Sequence, residues 1–193
     1  AVFCEWPLGA TLAEAQEILS IRVPRNFDCS DPGRLLKERA KALGIEAPFL
    51  GLMTAIPSLE RVKVSTEREG GLVATAIATV GISNASTPGF AGVHDCRPGT
   101  VNLVVLLDAH LEKGAMVRAA TLAAEAKALA FFQAGIIGKE GLPATGTSTD
   151  VEVVGCTGRG PSLCYAGPVT QVGHLLAKAV YRAVSEGLKE ETK

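Results

Sequence analysis

The sequence predicts an α+β fold, a layered sandwich in which helices pack on a largely antiparallel or mixed sheet. Two apolar segments joined by a Glu-Gly-Gly turn at 69–71 have the pattern of a β-hairpin. Two long helical patterns follow at 113–134 and 170–188, and one strand pattern at 151–157 lies between them. Because strands and helices do not alternate regularly, we expect a layered sandwich rather than repeated βαβ units.

The first third of the chain is predicted to be helical and to cover the sheet. Thr11 stands where an N-cap is expected, ahead of a helix at 12–19. A second helix over 33–43 follows an Asp-Pro pair and stops at Gly44, because proline suits the first helical position and glycine the residue after the last one.

The middle of the chain carries the predicted strands. Segments 62–66 and 72–82 form the antiparallel hairpin, and both faces of the longer strand are apolar or small, so we expect both to be covered. A further apolar strand at 101–107 follows a loop at 83–99 that has no periodicity. Loops of that length inside a compact domain are usually functional or mobile.

The helix predicted at 113–134 is rich in alanine and carries small or apolar side chains on nearly every side, which indicates that it is deeply packed. Arg118, Thr121 and Glu125 nevertheless place three polar groups on one of its faces. This stripe is either solvent-facing or the wall of a pocket. The closing helix at 170–188 is amphipathic, and its first residue, Thr170, is predicted to be its N-cap.

Composition narrows the function classes. The 193 residues are 47% apolar and 20% charged, which fits one globular domain over 1–193 that needs no disulfide or metal to hold its core. The net charge of −1 comes without a basic stripe, so nucleic acid is not an expected partner. The absence of a membrane span or leader pattern predicts a cytoplasmic protein with no membrane partner, and a homo-oligomer is compatible with the sequence.

The cysteines predict neither disulfides nor a metal site. They are odd in number, contain no CxxC pair and have no histidine at ligand spacing. We expect the cysteines to be small, reduced side chains rather than catalytic thiolates. Cys164, in a Gly/Pro-rich loop, is the candidate if one of them is catalytic. No phosphate loop or GxSxG elbow is present. The five cysteines are Cys4, Cys29, Cys96, Cys156 and Cys164.

Small, hydroxylated and amide-bearing residues cluster where the predicted strands end, at 81–85, 99–102 and 144–150. Backbone that turns sharply there exposes N–H groups beside short side-chain donors and acceptors. Such segments indicate a pocket for a ligand rich in amides.

Six phrases in these and neighbouring segments together resemble the adenosylcobinamide amidohydrolase family. The resemblance runs in order from about residue 21 to the closing helix, whereas 1–20 matches only loosely. The combination of phrases is more specific than any one of them. They are Gly51-Leu52-Met53-Thr54-Ala55, Val80-Gly81-Ile82-Ser83-Asn84-Ala85, Gly99-Thr100-Val101-Asn102, Ala124-Glu125-Ala126-Lys127, Ala144-Thr145-Gly146-Thr147-Ser148-Thr149-Asp150 and Tyr165-Ala166-Gly167-Pro168.

The resemblance implies hydrolysis of the amide that links a corrin side chain to aminopropanol in adenosylcobinamide, giving adenosylcobyric acid for cobamide salvage. The expected partner is this small-molecule corrinoid, and no separate cofactor or metal is expected because the substrate itself carries cobalt. Two alternatives remain at this stage: a corrinoid-binding module without turnover, and an amidase for a smaller amide.

The functional groups inside the family-like phrases give the catalytic candidates. Glu125 or Asp150 is predicted to be the general base toward water. The alternative is a nucleophilic Thr147 or Thr149 that forms an acyl intermediate beside a carboxylate. For Asp150 a purely structural role, as the cap of a Thr/Gly-rich bend, is equally compatible with the sequence.

The substrate-binding candidates are amides, hydroxyls and one cation. Asn84 and Asn102, with backbone near 146–147, are predicted to receive the oxyanion, although either amide could instead fix its loop. Thr100 and Thr145 are further candidate ligands for substrate. Lys127 is a candidate charge partner; two positions from Glu125 on a helix, it is expected to point away from that carboxylate.

Overall fold

A six-stranded mixed sheet forms the centre of the computed structural model, which describes residues 2–4, 11–27, 31–92 and 100–192. The elements are β1 (Val2–Cys4), β2 (Thr11–Ala13), β3 (Glu17–Arg22), α1 (Pro32–Ala42), β4 (Phe49–Thr54), β5 (Lys63–Glu69), β6 (Leu72–Thr79), β7 (Ala85–Ser86), β8 (Asn102–Asp108), β9 (His110–Leu111), α2 (Lys113–Gln133), β10 (Gly146–Thr147), β11 (Val151–Cys156), β12 (Ser162–Leu163) and α3 (Gln171–Glu191). The strand order of the central sheet is β2-β1-β11-β8-β6-β5. Three α-helices and three two-stranded sheets, β3-β4, β10-β7 and β12-β9, accompany it in the described residues.

The central sheet combines antiparallel and parallel pairs. β5 and β6 form the predicted hairpin, and β6 also pairs antiparallel with β8. β8 and β11 are parallel, because α2 carries the chain back to the same end of the sheet. The α+β layered fold with a mixed sheet is therefore confirmed, and it contains two β-α-β units, β8-α2-β11 and β3-α1-β4.

Helices α2 and α3 cover one face of the central sheet and bury the main core with it. Thr170 caps α3 as predicted, since its Oγ1 accepts a hydrogen bond of 3.1 Å from Gly173 N. At Gly187 the helix closely approaches Val80, the residue that follows β6, because a Cβ there would lie 2.5 Å from Val80 Cγ2. Among the described helices, none has both the length and the apolar character needed to span a bilayer.

The opposite face of the central sheet is covered by β3 and β4, which are parallel and carry α1 on their outer side. Asp31 caps α1, since its Oδ1 accepts a hydrogen bond of 2.9 Å from Arg34 N. Gly44 ends the helix region with a φ of +71°. A Cβ at Gly51 of β4 would lie 2.7 Å from Leu36 Cδ1, so glycine lets α1 pack close to the strand.

The prediction of a helix at 12–19 is wrong. Part of this segment is β2, and Glu17–Arg22 is β3, which pairs residue by residue with Phe49–Thr54. Helix-forming residues at 14–17 favour a helix locally, but pairing with a strand some thirty residues away determines the structure. The sequence analysis does not predict β4. The first third of the chain does cover the sheet, as predicted, but it does so largely with strands rather than helices.

The other predicted elements are present with small shifts at their ends. These are α1, the β5-β6 hairpin, β8, α2, β11 and α3. The loop predicted at 83–99 contains a short strand, β7, which pairs antiparallel with β10. Residues 93–99, including Gly99 of the family-like phrases, lie outside the described residues.

Candidate functional site

A cavity of about 620 Å³ lies between the central sheet and the β3-β4 layer. Its walls come from β3, β4, β6, β8 and β11 and are mostly aliphatic, with Ile18, Leu52, Ile77 and Val104 among them. The cavity exists because one face of the central sheet turns toward the strand layer rather than toward the helices. Its size and apolar walls suit a small-molecule ligand.

Three buried polar side chains, Thr54, Thr79 and Asn102, stand together at one end of this apolar cavity. Thr54 Oγ1 donates a hydrogen bond of 3.0 Å to Thr79 Oγ1, and Asn102 Nδ2 donates one of 2.6 Å to Met53 O. These two contacts link β4 to the central sheet. We call the three side chains the inner polar group.

Asn102 is 3% exposed, and its Oδ1 has no hydrogen-bond partner among the described residues. The orientation of its amide follows from its other contact, because only the NH₂ group can donate to Met53 O. Buried polar atoms are normally paired, so this oxygen is a candidate contact for a ligand.

The opposite end of the cavity is more exposed and carries a carboxylate. Thr157 Oγ1 and Arg159 Nε each donate a hydrogen bond of 2.8 Å to Asp108 Oδ1. The bond from Thr157, the bond from Arg159 and the positive charge of Arg159 lower the pKa of Asp108 below its ordinary value. Asp108 is therefore held as an anion at the rim.

A second polar cluster is buried under α2. Lys127 Nζ lies 2.6 Å from Asp150 Oδ2 and 2.8 Å from Glu152 Oε1, and Lys127 and Glu152 are 8% and 7% exposed. Burial opposes ionisation of Lys127, but the charges of Asp150 and Glu152 and the hydrogen bonds to both outweigh it and raise the lysine pKa. We call these three residues the lysine cluster.

Asp150 also organises the turn that precedes β11. Its Oδ2 accepts a hydrogen bond of 3.1 Å from Thr147 N, and its Oδ1 accepts one from Thr147 Oγ1. Val101 N donates a further bond of 3.0 Å to Oδ1. A Cβ at Gly146 would overlap Asp150 Oδ2, so the glycine allows the carboxylate to approach. The structure thus brings together Thr147, Asp150 and Lys127.

Three of the predicted binding residues lie at the edge of this turn. Asn84 Nδ2 donates to Ser148 Oγ at 2.8 Å and to Thr149 Oγ1 at 3.2 Å. Thr100 Oγ1 donates to Thr149 O, and Thr145 N donates to Ser86 O at 3.3 Å. Asn84 and Thr100 therefore fix the 147–150 segment.

Glu125 stands apart from the lysine cluster on the exposed side of α2. Its carboxylate, with 57% of the side chain exposed, pairs with Arg118 through contacts of 2.8 Å and 3.2 Å. Arg118 also donates a hydrogen bond of 2.8 Å to Thr121 Oγ1, so the three polar side chains of the predicted stripe are hydrogen-bonded to one another through Arg118. Glu125 and Lys127 point away from each other, as their spacing on the helix predicts.

Three residues of the site were not singled out as functional from the sequence: Thr54, Thr79 and Glu152. The two threonines sit in strands, where a hydroxyl on a half-buried face is ordinary, and only the pairing of β4 beside β6 brings them together. Glu152 did carry a signal, because a carboxylate inside the apolar strand 151–156 requires a buried partner.

The inner polar group and the 147–150 turn lie at the same end of the central sheet. Thr79, the last residue of β6, pairs with Asn102, the first of β8, and Asn102 pairs with Val151, the first of β11. Asp150 comes directly before Val151. The lysine cluster lies on the helix side of this end and the cavity on the strand side.

The fold and site define a small-molecule-binding α+β domain whose polar groups are amides, hydroxyls, carboxylates and one buried ammonium. A family model described as adenosylcobinamide amidohydrolase matches residues 4–193. The chain belongs to the adenosylcobinamide amidohydrolase family, which confirms the resemblance and places the chain among hydrolases.

Two similar proteins that carry the family's name support this assignment over most of their length. An adenosylcobinamide amidohydrolase of Methanosarcina mazei is 31% identical over 191 residues, which cover 94% of this chain and 87% of the relative. One of Halobacterium salinarum is 31% identical over 95% of this chain and 77% of its own length. An uncharacterized protein of Methanocaldococcus jannaschii is 41% identical over 49% of this chain and 38% of its own length.

Proposed function

We propose that this chain hydrolyses adenosylcobinamide at the amide between the corrin side chain and aminopropanol, releasing adenosylcobyric acid and aminopropanol. Family membership supports the reaction class. The cavity supports the substrate, because a corrinoid combines apolar surface with many carboxamides, and the cavity combines aliphatic walls with amide and hydroxyl groups. The setting we propose is the cytoplasm, whose reducing conditions suit a chain with five cysteines and no CxxC pair.

The contact that carries the catalytic proposal is the hydrogen bond from Thr147 Oγ1 to Asp150 Oδ1, with Lys127 on the other carboxylate oxygen. A hydroxyl, a carboxylate that receives its proton and a third group that orients the carboxylate are the parts of an activated nucleophile. Asp150 is the base and Lys127 the orienting group. Asn84 positions the loop, because its Nδ2 already bonds Ser148 and Thr149.

The reaction then runs in two steps. Thr147 Oγ attacks the amide carbonyl carbon while its proton passes to Asp150, and the same proton goes to the aminopropanol nitrogen as the C–N bond breaks. Water hydrolyses the resulting ester, giving its proton to Asp150 and its hydroxyl to the acyl carbon. Proton return from Asp150 restores the Thr147 hydroxyl as the carboxylic acid leaves.

A direct attack by water, with Asp150 as its base, uses the same carboxylate without an acyl intermediate. Glu125 is the weaker of the two carboxylate candidates, since Arg118 binds both of its oxygens on the exposed side of α2. The two routes differ in what they require of Thr147.

The test is incubation of the purified protein with adenosylcobinamide, followed by mass spectrometry for adenosylcobyric acid and aminopropanol. We expect D150N and T147V to lower turnover by about 10²- to 10⁴-fold and T147S to retain most of it. E125Q is the matched control and is expected to leave turnover unchanged. Circular dichroism verifies that each variant is folded.

Each outcome decides one part of the proposal. An acyl adduct on Thr147 after rapid quenching supports the two-step route, whereas full turnover in T147V with loss in D150N supports attack by water. Loss in E125Q alone would overturn the assignment of Asp150. A folded wild-type protein that releases neither product would overturn the proposed function.

A further inference from the structure

We infer that the inner polar group is a recognition site for a primary carboxamide of the ligand, in which Asn102 Oδ1 accepts an amide N–H and Thr79 Oγ1 donates to the amide carbonyl. The inference rests on the proposed function, since a corrinoid supplies peripheral carboxamide arms. It adds that one such arm enters the cavity and sets specificity, while the amide that reacts lies at the Thr147–Asp150 turn, at the same end of the central sheet.

The acceptor half of the site is Asn102. One N–H of its Nδ2 is donated to Met53 O at 2.6 Å, and its Oδ1 is the side-chain atom that has no partner among the described residues. The side chain lines the cavity and is 3% exposed. A ligand N–H at this oxygen would satisfy a buried acceptor that has no partner among the residues described.

The donor half of the site is Thr79. Thr54 Oγ1 donates to Thr79 Oγ1, so the Thr79 hydroxyl proton is directed elsewhere. Thr79 and Asn102 are opposite each other in the β6-β8 pair, and side chains at such positions have Cβ atoms about 4.5–5.5 Å apart. One planar carboxamide between them can present its carbonyl to the hydroxyl and its NH₂ to the amide oxygen.

The inner polar group is suited to recognition rather than to chemistry. Its three side chains do not ionise. The carboxylate and the thiol that line the same cavity, Asp108 and Cys156, are the last residues of β8 and β11, at the end of the sheet away from Asn102. A ligand carboxylate is disfavoured at Asn102 Oδ1, because it has no N–H to donate and carries negative charge. The site therefore distinguishes a carboxamide from the corresponding acid.

The experiment measures equilibrium binding of adenosylcobyric acid, which keeps the peripheral carboxamides but lacks the bond that reacts. Ultrafiltration with corrin absorbance gives the free ligand concentration. We expect T79V to weaken binding by about tenfold and T79S to restore it to within about twofold. N102A is a second variant and is expected to weaken binding by a similar factor.

The matched control is T75V. Thr75 lies on the same strand and lines the same cavity, and its Oγ1 is 3.0 Å from Thr66 Oγ1, but it is opposite Leu106 instead of Asn102. We expect T75V to bind within about twofold of wild type. Equal weakening in T75V and T79V would overturn the inference, because it would indicate a general effect of altering β6.

A second readout uses peripheral monocarboxylic acid derivatives of adenosylcobyric acid. We expect at least one isomer to bind wild type about tenfold more weakly than the parent, and this difference to shrink in T79V. Equal binding of all isomers would overturn the carboxamide site and point to pairing of the acid with Arg22, which also lines the cavity.

Steady-state kinetics separates this inference from the proposed function. If wild type turns over adenosylcobinamide and T79V has an unchanged KM, the carboxamide site is wrong while the hydrolase stands. If T79V raises KM at constant kcat, both are supported. If wild type shows no turnover, the proposed function fails, and the binding comparison still decides whether the carboxamide site exists.

Discussion

At the scale of single residues, Lys127 bridges the buried carboxylate of Glu152 and the carboxylate of Asp150, whose side chain is 11% exposed. We expect K127M to destabilise the fold by about 3–5 kcal/mol, because it removes the cation that faces the buried Glu152 and the largely buried Asp150. Urea unfolding followed by circular dichroism measures the change.

The exposed pair Arg118–Glu125 on the same helix provides the control for Lys127. E125Q should change the free energy of unfolding by no more than about 1 kcal/mol, because exposed ion pairs contribute little. Equal effects of K127M and E125Q would contradict the view that burial makes the lysine cluster important for stability.

Glu67 on β5 predicts how stability depends on acid. Burial raises the pKa of this carboxyl, but hydrogen bonds and charge interactions with Lys178 and Arg182 on α3 outweigh it, so the pKa lies below the ordinary value of 4.5. The ion pairs of Glu67 therefore stabilise the fold fully above about pH 4.5, and this stabilisation is lost as the pH falls through the lowered pKa of Glu67.

E67Q should therefore be less stable than wild type at about pH 6, and the difference should shrink at about pH 3. Urea midpoints at the two pH values measure it. E69Q, an exposed position on the same strand, should show no such narrowing. A constant difference between wild type and E67Q would exclude this linkage.

At the scale of elements, the contact between α3 and β6 depends on Gly187. G187A should destabilise the protein by about 1–3 kcal/mol, since its Cβ would lie 2.5 Å from Val80 Cγ2 in a packed core. V80A in the same chain should relieve the overlap, so the double variant should be more stable than the sum of the single effects predicts.

Gly114 in α2 is the control for this prediction. A Cβ there meets no atom within 4 Å, so G114A is expected to be neutral or stabilising by up to about 1 kcal/mol. Thermal unfolding compares the variants. If G187A and G114A behave alike, helix propensity rather than close packing governs both positions.

Which elements could be predicted from sequence follows from how local their signals are. α1 carries a cap, a proline and a terminal glycine, and the β5-β6 hairpin carries its turn, so each was predicted. β3 and β4 have no comparable local signal, because each is a strand only through pairing with the other and packing on α1. The local sequence of β3 therefore predicts a helix.

At the scale of the whole molecule, the β3-β4 layer adjoins the central sheet across the cavity. Its polar links are the contacts of Asn102 with Met53 and of Thr54 with Thr79, which belong to the inner polar group. We expect backbone amides of β3 and β4 to exchange hydrogen faster than those of β6 and β8, and adenosylcobyric acid to slow them.

Hydrogen exchange with mass spectrometry, with and without ligand, checks this expectation. Peptides from α3 serve as the reference, because this helix lies on the face of the sheet away from the cavity. Equal protection of α3 and β4 by ligand would mean global stabilisation only. Protection confined to α3 would place the ligand outside the cavity.

The candidate site was only partly predictable for the same reason that the fold was. The turn residues Thr147 and Asp150 are neighbours in sequence, so their association could be expected. The grouping of Thr54, Thr79 and Asn102 requires three separate strands in register. The spacing of Glu125 and Lys127 predicts that they point apart, but which of the two is buried depends on how α2 packs. Neither follows from composition.

The order of strands in the central sheet also affects how this chain emerges from a ribosome. β1 at Val2–Cys4 pairs with β2 on one side, but its other neighbour, β11 at Val151–Cys156, is made only about 150 residues later. At about 5–20 residues per second that delay is roughly 8–30 s. Once β8 at Asn102–Asp108 has been made, its edge stays unpaired until β11 follows, which gives holding chaperones an opportunity to bind the nascent chain.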